Sequence, residues 1–200
     1  HYEDRFGSAF QAAIRPGDTV WDIGANIGLY TAIFAEATGP SGRVVAFEPT
    51  PACFQELQKK FAGNPQVVLK NIAMGDSDGA LTMAVENDAL AATHRIVSGS
   101  GAGDNLVSVE VRSAGSFAAA EPALFPQIVK IDVEGHEGAV LDGFATLLPD
   151  PRLHCNGIEV HCGLLDERGE NYRPQQMEQK LAQHGFQVRW TDASHLLATR

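Results

Sequence analysis

The fold is decided by the stretch Thr19-Val20-Trp21-Asp22-Ile23-Gly24-Ala25-Asn26-Ile27-Gly28, which is followed by Leu29-Tyr30-Thr31-Ala32-Ile33-Phe34-Ala35. An apolar run leads into a segment with two glycines, and a second apolar run leads out of it. This order predicts a short buried strand, a tight turn and the start of a helix. The glycines leave room for a ligand above the turn, and the free backbone N–H groups of the helix start face that ligand. The stretch therefore predicts a ligand site between a strand and a helix.

The acid in this stretch discriminates between the ligands that such a turn can bind. A dinucleotide site has a third glycine where this chain has Asn26, in the pattern G-x-G-x-x-G. Asp22 repels a pyrophosphate but suits an ammonium group, and S-adenosylmethionine (SAM) carries an ammonium, a sulfonium and no phosphate. We therefore predict that Asp22, Gly24, Asn26 and Gly28 bind SAM. A plain strand-to-helix turn is the alternative.

The composition is that of a soluble globular protein. The 200 residues suffice for one domain with a full core, and 44% of them are hydrophobic and 20% charged. A net charge of −10 argues against a broad phosphate-binding surface, so we expect no nucleic-acid partner. No apolar run approaches the roughly 20 residues of a membrane span, so we expect no membrane association. A homo-oligomer and a further segment before His1 are left open.

The cysteines bear on the compartment. Cys53, Cys155 and Cys162 are odd in number and lack C-x-x-C spacing. We interpret them as reduced thiols of a cytoplasmic protein.

Strands alternate with helices along the chain, which predicts a parallel sheet covered by helices. The predicted strands after the first are 43–47, 67–69, 128–131 and 157–161, and the predicted helices are 4–14, 27–37, 51–61, 113–124, 137–144 and 174–184. Residues 186–190 and 195–199 predict a closing antiparallel pair. Residues 81–85 and 106–111 predict an inserted β-hairpin, and the glycine–serine run within 87–105 predicts a mobile loop, either a lid or a disordered excursion.

Two further positions are candidates for the cofactor site. Glu48 ends the second predicted strand and lies 20 residues beyond Gly28, the spacing at which an acid accepts hydrogen bonds from ribose hydroxyls. The loop from Ala73 to Asp76 follows the third strand and is expected to contact adenine, with Asp76 accepting the exocyclic amine. A simple turn at Asp76 fits the sequence equally well.

Ionisable residues gather after two later strands. Asp132, Glu134, His136 and Glu137 lie within six positions of one another, a density that shifts pKa values as acid–base sites require. Glu137 also suits a helix N-terminus, where a carboxylate is favoured by the helix dipole. Glu159 and His161, two residues apart, point to the same face of the fifth strand.

The runs 20–28, 45–49, 71–79, 129–137 and 158–161 resemble, in this order, the FkbM-type methyltransferase family over about residues 16–186. The most specific part is Lys130-Ile131-Asp132-Val133-Glu134-Gly135-His136-Glu137 beside the D-x-G-A-N-x-G loop. Ser113-Ala114-Gly115-Ser116 departs from the Thr-Leu-Asp-like segment usual in the family, at the expected substrate-pocket wall.

The resemblance implies a single α/β domain over 1–200 with a Rossmann-like class I methyltransferase fold. Its sheet would have seven mostly parallel strands with a C-terminal antiparallel hairpin and helices on both faces. The family binds SAM and methylates oxygen, commonly a hydroxyl of a small-molecule acceptor such as a sugar or a polyketide-type natural product. The sequence contains no Asn-Pro-Pro-Tyr-like motif, and this argues against methylation of an amide or base nitrogen.

Methyl transfer to a hydroxyl requires alignment and removal of a proton. His161 and His136 are the natural bases, with Glu159 orienting His161. Asp132 and Glu134 could orient a base or bind a divalent cation, Mg²⁺ or Mn²⁺. We favour the metal-free version, because these acids are also accounted for by the ammonium group of SAM and by the hydroxyls of a sugar. A SAM-binding protein without turnover and a nucleotide-dependent oxidoreductase are the rival classes.

Overall fold

The computed structural model describes residues 3–85, 95–96 and 105–200. Its strands, in chain order, are β1 (Thr19–Ile23), β2 (Arg43–Phe47), β3 (Val67–Lys70), β4 (Ala73–Gly75), β5 (Gly79–Val85), β6 (Arg95–Ile96), β7 (Asn105–Ser113), β8 (Ile128–Ile131), β9 (Cys155–Glu159), β10 (Gln187–Trp190) and β11 (His195–Thr199). Its helices are α1 (Glu3–Ala13), α2 (Leu29–Thr38), α3 (Pro51–Lys60), α4 (Ala114–Ala120), α5 (Glu137–Asp142), α6 (Cys162–Glu167) and α7 (Arg173–Gln183).

The main sheet contains seven strands in the order β10-β11-β9-β8-β1-β2-β3. The pairs β3–β2, β2–β1, β1–β8 and β8–β9 are parallel, whereas β11 runs antiparallel to both β9 and β10. This is the predicted Rossmann-like methyltransferase sheet, including the C-terminal antiparallel pair. Because carboxyl ends of parallel strands share one edge, the residues that follow β1, β2, β8 and β9 converge there.

Helices cover both faces of this sheet because neighbouring residues of each buried strand point in opposite directions. On one face, Val20 packs with Phe6, Phe10 and Phe34 of α1 and α2. On the other, Trp21 packs in a larger cluster with the helices after β7 and β8, and its indole N–H donates to the Leu124 carbonyl at 2.7 Å. The core therefore fixes the strand ends from both sides.

A smaller sheet of order β4-β7-β5-β6 is inserted between β3 and α4. The predicted hairpin is present as the antiparallel pair of β5 and β7, in which Gly79 faces Val111 and Val85 faces Asn105. The sheet is larger than predicted, because Ala73–Gly75 adds β4 in parallel to β7 where we expected a loop. The predicted mobile loop lies outside the described residues, apart from Arg95–Ile96, which pairs with β5.

Other element bounds agree with the prediction to within a few residues. One helix is absent from the prediction: α6 occupies part of the segment expected to be a polar loop. Cys53, Cys155 and Cys162, all within the described residues, form no disulfide with one another. Among the described helices, none is long and apolar enough to cross a membrane.

Candidate active site

A cavity of about 290 Å³ opens at the edge where β1, β2, β8 and β9 end. One side is formed by the turn after β1 and the residues that follow β2: Gly24, Asn26, Glu48, Thr50 and Cys53. The opposite side carries Asp132, Glu134, His136, Glu159 and His161. Apolar residues of the segment after β3 and of the smaller sheet close the wall between them: Ile72, Met74, Leu81 and Met83.

The turn after β1 packs tightly against its neighbours. The N–H groups of Gly24 and Ala25 both donate to the Phe47 carbonyl at 3.0 Å. Gly24 has a φ of +81°, and a Cβ there would lie 1.8 Å from the carbonyl oxygen of Asp132. Only glycine fits between these two strand ends, so this position joins the turn to the acid-rich side of the cavity.

Glu48 organises the turn through hydrogen bonds. Its Oε2 accepts the N–H of Asn26 at 2.8 Å, and its Oε1 accepts the N–H and the hydroxyl of Thr50 at 2.9 and 2.6 Å. Asn26 has a positive φ of 50°, which is uncommon for a residue with a Cβ. The buried carboxylate therefore holds Asn26 in a strained turn and also lines the cavity.

Asp22 lies beneath the cavity rather than in its lining. It is fully buried on the face covered by α2, where its Oδ2 accepts the Thr31 hydroxyl at 2.5 Å. Lys130, opposite Asp22 in the sheet, lies with its Nζ 3.0 Å from Asp132 Oδ2, 3.9 Å from Asp22 Oδ1 and 4.7 Å from the Tyr30 ring centroid. Burial raises the pKa of Asp22, and Lys130 opposes this rise.

Lys130 remains a cation in this buried position. Burial lowers its pKa, but the carboxylates of Asp132 and Asp22 outweigh that effect and raise it. The shorter distance shows that Asp132 is its main partner, so Lys130 anchors that carboxylate from below.

Three side chains that could ligate a cation, Asp132, Glu134 and His161, meet on the acid-rich side. His161 Nε2 lies 3.4 Å from Glu134 Oε2 and 3.9 Å from Asp132 Oδ1. The other ring nitrogen, Nδ1, lies 2.8 Å from Oε1 of Glu137, a fully buried carboxylate that also accepts the Gly135 N–H at 2.8 Å. The side chains of Asp132, Glu134 and His161 are partly exposed, and their ligand atoms lie within 4.8 Å of one another.

The pKa values of His161 and Glu134 are both raised. Burial disfavours the charged imidazole of His161, but the hydrogen bond to Glu137 and the surrounding carboxylates raise its pKa to about 9. Burial raises the pKa of Glu134, against the opposing effect of His161. His161 is therefore protonated near neutral pH in the ligand-free protein, and a neutral imidazole is not its resting form.

His136 differs from His161 in the direction of its pKa shift and in the pairing of its ring nitrogens. It lines the cavity, and burial together with Arg168 lowers its pKa. Its Nε2 is buried without a hydrogen-bond partner among the residues that the structure describes. Arg168 also donates to the carbonyls of Gly135 and Glu134, at 2.9 and 3.3 Å, and so fixes the turn that carries Glu134 at a φ of 52°.

Glu159 does not orient His161, contrary to our expectation. Its Oε2 lies 3.4 Å from Nε2 of His195, whose Nδ1 lies 2.8 Å from Asp192. The partner of His161 is Glu137, which we expected in the ionisable cluster or at a helix N-terminus but did not pair with His161. The contact between the residue after β9 and the first residue of α5 could not be inferred from their separation along the chain.

The cavity brings together most of the predicted site residues. Gly24, Asn26, Glu48, Ala73, Asp132, Glu134, His136 and His161 line it. Gly28 caps α2 against Leu57 and Phe61 outside the lining, and Asp76 sits on an exposed bend where it accepts the Ser77 hydroxyl. Cys53, Leu81 and Met83 line the cavity without a sequence signal that would have identified them.

Comparison with known proteins identifies the relatives of this chain. The model of the methyltransferase FkbM domain family matches residues 22–188. The hexuronic acid methyltransferase AglP of Haloferax volcanii is 29% identical over 148 residues, which cover 74% of this chain and 57% of that protein. The 31-O-demethyl-FK506 methyltransferase FkbM of Streptomyces tacrolimicus is 42% identical over 57 residues, which cover 28% of this chain and 22% of that protein.

The matched region is thus no more than about half the length of these relatives. Among solved structures, a Clostridium thermocellum protein assigned as an rRNA methylase has a TM-score of 0.60 at 12% identity, over 99% of this chain and 93% of that one. At that identity the likeness concerns the fold alone.

Proposed function

The chain belongs to the FkbM methyltransferase family, and from this premise we propose that it is a SAM-dependent O-methyltransferase that acts on a hydroxyl of a small molecule. The observation that supports this best is that one cavity joins the turn after β1 to the cluster of Asp132, Glu134 and His161. A methyl transfer needs a donor and an acceptor side by side, and each side of this cavity suits one of them.

The turn side suits the cofactor. SAM supplies an electrophilic methyl group when bound. Glu48 is available to the ribose hydroxyls, although both of its oxygens already accept backbone N–H groups. Ile72, Ala73 and Met74 offer an apolar surface for adenine. Asp132, at the end of β8, suits the ammonium group in the cation-free protein, whereas the buried Asp22 supports this site through Lys130.

The opposite side suits an oxygen acceptor. Asp132, Glu134, His136 and His161 line the cavity and provide acceptors and donors for a hydroxyl and its neighbours. The two relatives are named for a hexuronic acid and for an O-demethyl form of FK506, so sugars and oxygenated natural products are the acceptor classes to test first. The net charge of −10 argues against RNA as the acceptor.

Proton removal falls to the cluster of Asp132, Glu134 and His161. Because His161 donates to Glu137 and faces Glu134, it can accept the proton of an acceptor only after it loses its own. His161→Ala should lower turnover by roughly 10²–10⁴-fold and leave SAM affinity nearly unchanged. Unchanged turnover in this variant would remove His161 from the mechanism.

Calorimetry with SAM, S-adenosylhomocysteine and NAD tests the cofactor. We expect the first two to bind and NAD not to bind, because Asn26 replaces the third glycine and an acid borders the turn. Preferential binding of NAD would favour the rival oxidoreductase. Incubation with methyl-labelled SAM and a panel of hexuronic acid glycosides and hydroxylated macrocycles tests the reaction, with mass spectrometry locating the methyl group. SAM binding without any transfer over such panels would favour a binding protein without turnover.

A further inference from the structure

We propose that Asp132, Glu134 and His161 bind one divalent transition-metal cation, best matched by Mn²⁺. The inference rests on the proposed function, which it deepens by assigning a cofactor to the acceptor side of the cavity. It also departs from our expectation from sequence, which favoured a metal-free site with His161 as a neutral base.

The distances among the three ligand atoms are close to those of a metal centre. In octahedral coordination with bonds of about 2.1 Å, adjacent ligand atoms are ~3.0 Å apart and opposite ones ~4.2 Å. His161 Nε2 lies 3.4 Å from Glu134 Oε2 and 3.9 Å from Asp132 Oδ1. All three ligand atoms lie within 4.8 Å of one another, so small rotations of side chains bring them to a common ion.

Glu137 provides the second observation, independent of the three ligands. Histidine ligands of metals usually hold their other ring nitrogen against a carboxylate or a carbonyl, which fixes the ring and its tautomer. Here His161 Nδ1 lies 2.8 Å from Glu137, which is fully buried. This contact directs Nε2 into the cavity. Within the described part of the chain, Oε2 of Glu137 is buried and has no hydrogen-bond partner.

The charge balance also favours a cation at this point. Asp132, Glu134 and Glu137 surround the imidazole of His161, and Lys130 is already shared between Asp132 and Asp22. In the ligand-free protein the proton of His161 supplies the positive charge among these carboxylates, and a divalent cation on Nε2 would take its place. Carboxylates packed at low exposure repel one another unless a cation separates them. A nitrogen ligand beside two carboxylates suits a first-row transition-metal cation better than Mg²⁺ or Ca²⁺, and among these cations Mn²⁺ is the one that also suits carboxylate ligands.

Such an ion would supply what the histidine lacks. A divalent cation lowers the pKa of a hydroxyl near it, so the acceptor can lose its proton near neutral pH. The displacement then forms an O–CH₃ bond, breaks the S–CH₃ bond of SAM and releases a neutral thioether, while the hydroxyl proton passes to solvent or to a cavity carboxylate.

Direct binding measurements test the site without relying on activity. The purified chain is stripped with a chelator, and Mn²⁺ is titrated by calorimetry and by loss of the free-ion electron paramagnetic resonance signal. We expect one ion per chain. Glu134→Gln should weaken Mn²⁺ binding by at least tenfold, and His161→Ala should abolish it. Glu137→Gln, which alters only the outer carboxylate, should weaken it by roughly 10–100-fold.

Glu56→Gln is the matched control. It makes the same chemical change on an exposed residue of α3 that pairs with Lys59, and it should leave Mn²⁺ affinity unchanged. Circular dichroism checks that each variant is folded, and Glu134→Gln keeps the test valid if His161→Ala does not fold.

The outcomes separate this proposal from the proposed function. Absence of Mn²⁺ binding, or binding that survives in both Glu134→Gln and His161→Ala, would overturn the metal site. Displacement of Mn²⁺ by SAM would also overturn it, since the cluster would then serve the ammonium group of the cofactor. SAM binding without Mn²⁺ binding leaves the proposed function intact, and Mn²⁺ binding without SAM binding leaves only the metal site.

Discussion

Replacing Gly24 with alanine should damage the protein far more than the same replacement at Gly63. Both glycines have a left-handed φ, +81° and +78°, so an alanine costs roughly 1–2 kcal/mol at either position for the backbone alone. At Gly63 no atom lies within 4 Å of the added Cβ. At Gly24 the Cβ would lie 1.8 Å from the carbonyl oxygen and 2.9 Å from the carbonyl carbon of Asp132.

The overlap at Gly24 involves backbone at the end of β8, which cannot rotate away. Overpacking of this kind costs about 1–3 kcal/mol or more, so the total for Gly24→Ala is about 2–5 kcal/mol. The shift would also displace Asp132, because its N–H donates to the Ile23 carbonyl at 3.0 Å beside the turn. We therefore expect loss of both stability and cofactor affinity at Gly24, and a modest loss of stability alone at Gly63.

Urea unfolding followed by circular dichroism measures the stability difference, and calorimetry with SAM measures affinity. A gap of 1.4 kcal/mol or more between the variants corresponds to a tenfold difference in the folding equilibrium. Equal destabilisation in the two variants would refute the reasoning, because the contact with Asp132 would then have no energetic effect. Full SAM affinity in a folded Gly24→Ala variant would show that the turn after β1 is not part of the cofactor site.

The further predictions concern individual side chains. Glu48→Ala removes the proposed acceptor of the ribose hydroxyls and the partner of the Asn26 N–H, so SAM binding measured by calorimetry should weaken by about 1–3 kcal/mol. Asp76→Asn, outside the lining, should leave it unchanged, and wild-type affinity in Glu48→Ala would exclude Glu48 from the cofactor site. In the cation-free protein, NMR titration should give His161 a pKa near 9 and His136 one below 6.5, and the opposite order would contradict the assignment. Because the folded pKa of His161 is raised, its network stabilises the fold fully below pH 6.5 and ceases to do so as pH rises through about 9. Burial raises the pKa of Cys155 to about 12, so iodoacetamide should not modify it at pH 8 in the native protein, and rapid modification seen by mass spectrometry would argue against this burial.

The sequence predicted the elements that local patterns specify. Alternation of apolar strands with helices gave the parallel sheet, and the acids that end its strands meet at one edge because parallel strands share their direction. Glu48, Asp132, Glu134 and His161 line one cavity for that reason. The inserted hairpin was also predictable, since β5 and β7 alternate apolar and polar residues.

Contacts between distant segments could not be predicted in the same way. β4 is only three residues long and exists through pairing with β7, more than 30 residues later, so it has no local signal of its own. The burial of Asp22 against Lys130 depends on strand register, which fixes which side chains are neighbours across the sheet. The pairing of Glu137 with His161 likewise joins a helix start to a strand end 24 residues away.

Among the described strands, the smaller sheet shares none with the seven-stranded sheet, so the two sheets can vary in sequence separately. In the described part of the chain, β4 to β7 pair only with one another, yet Leu81 and Met83 of β5 form part of the cavity wall. Insertions, deletions or exchanges in this excursion can therefore reshape the wall without breaking a hydrogen bond of the seven-stranded sheet. Under the proposed function, chimeras that exchange residues 76–112 between family members would test whether this wall influences the choice of acceptor.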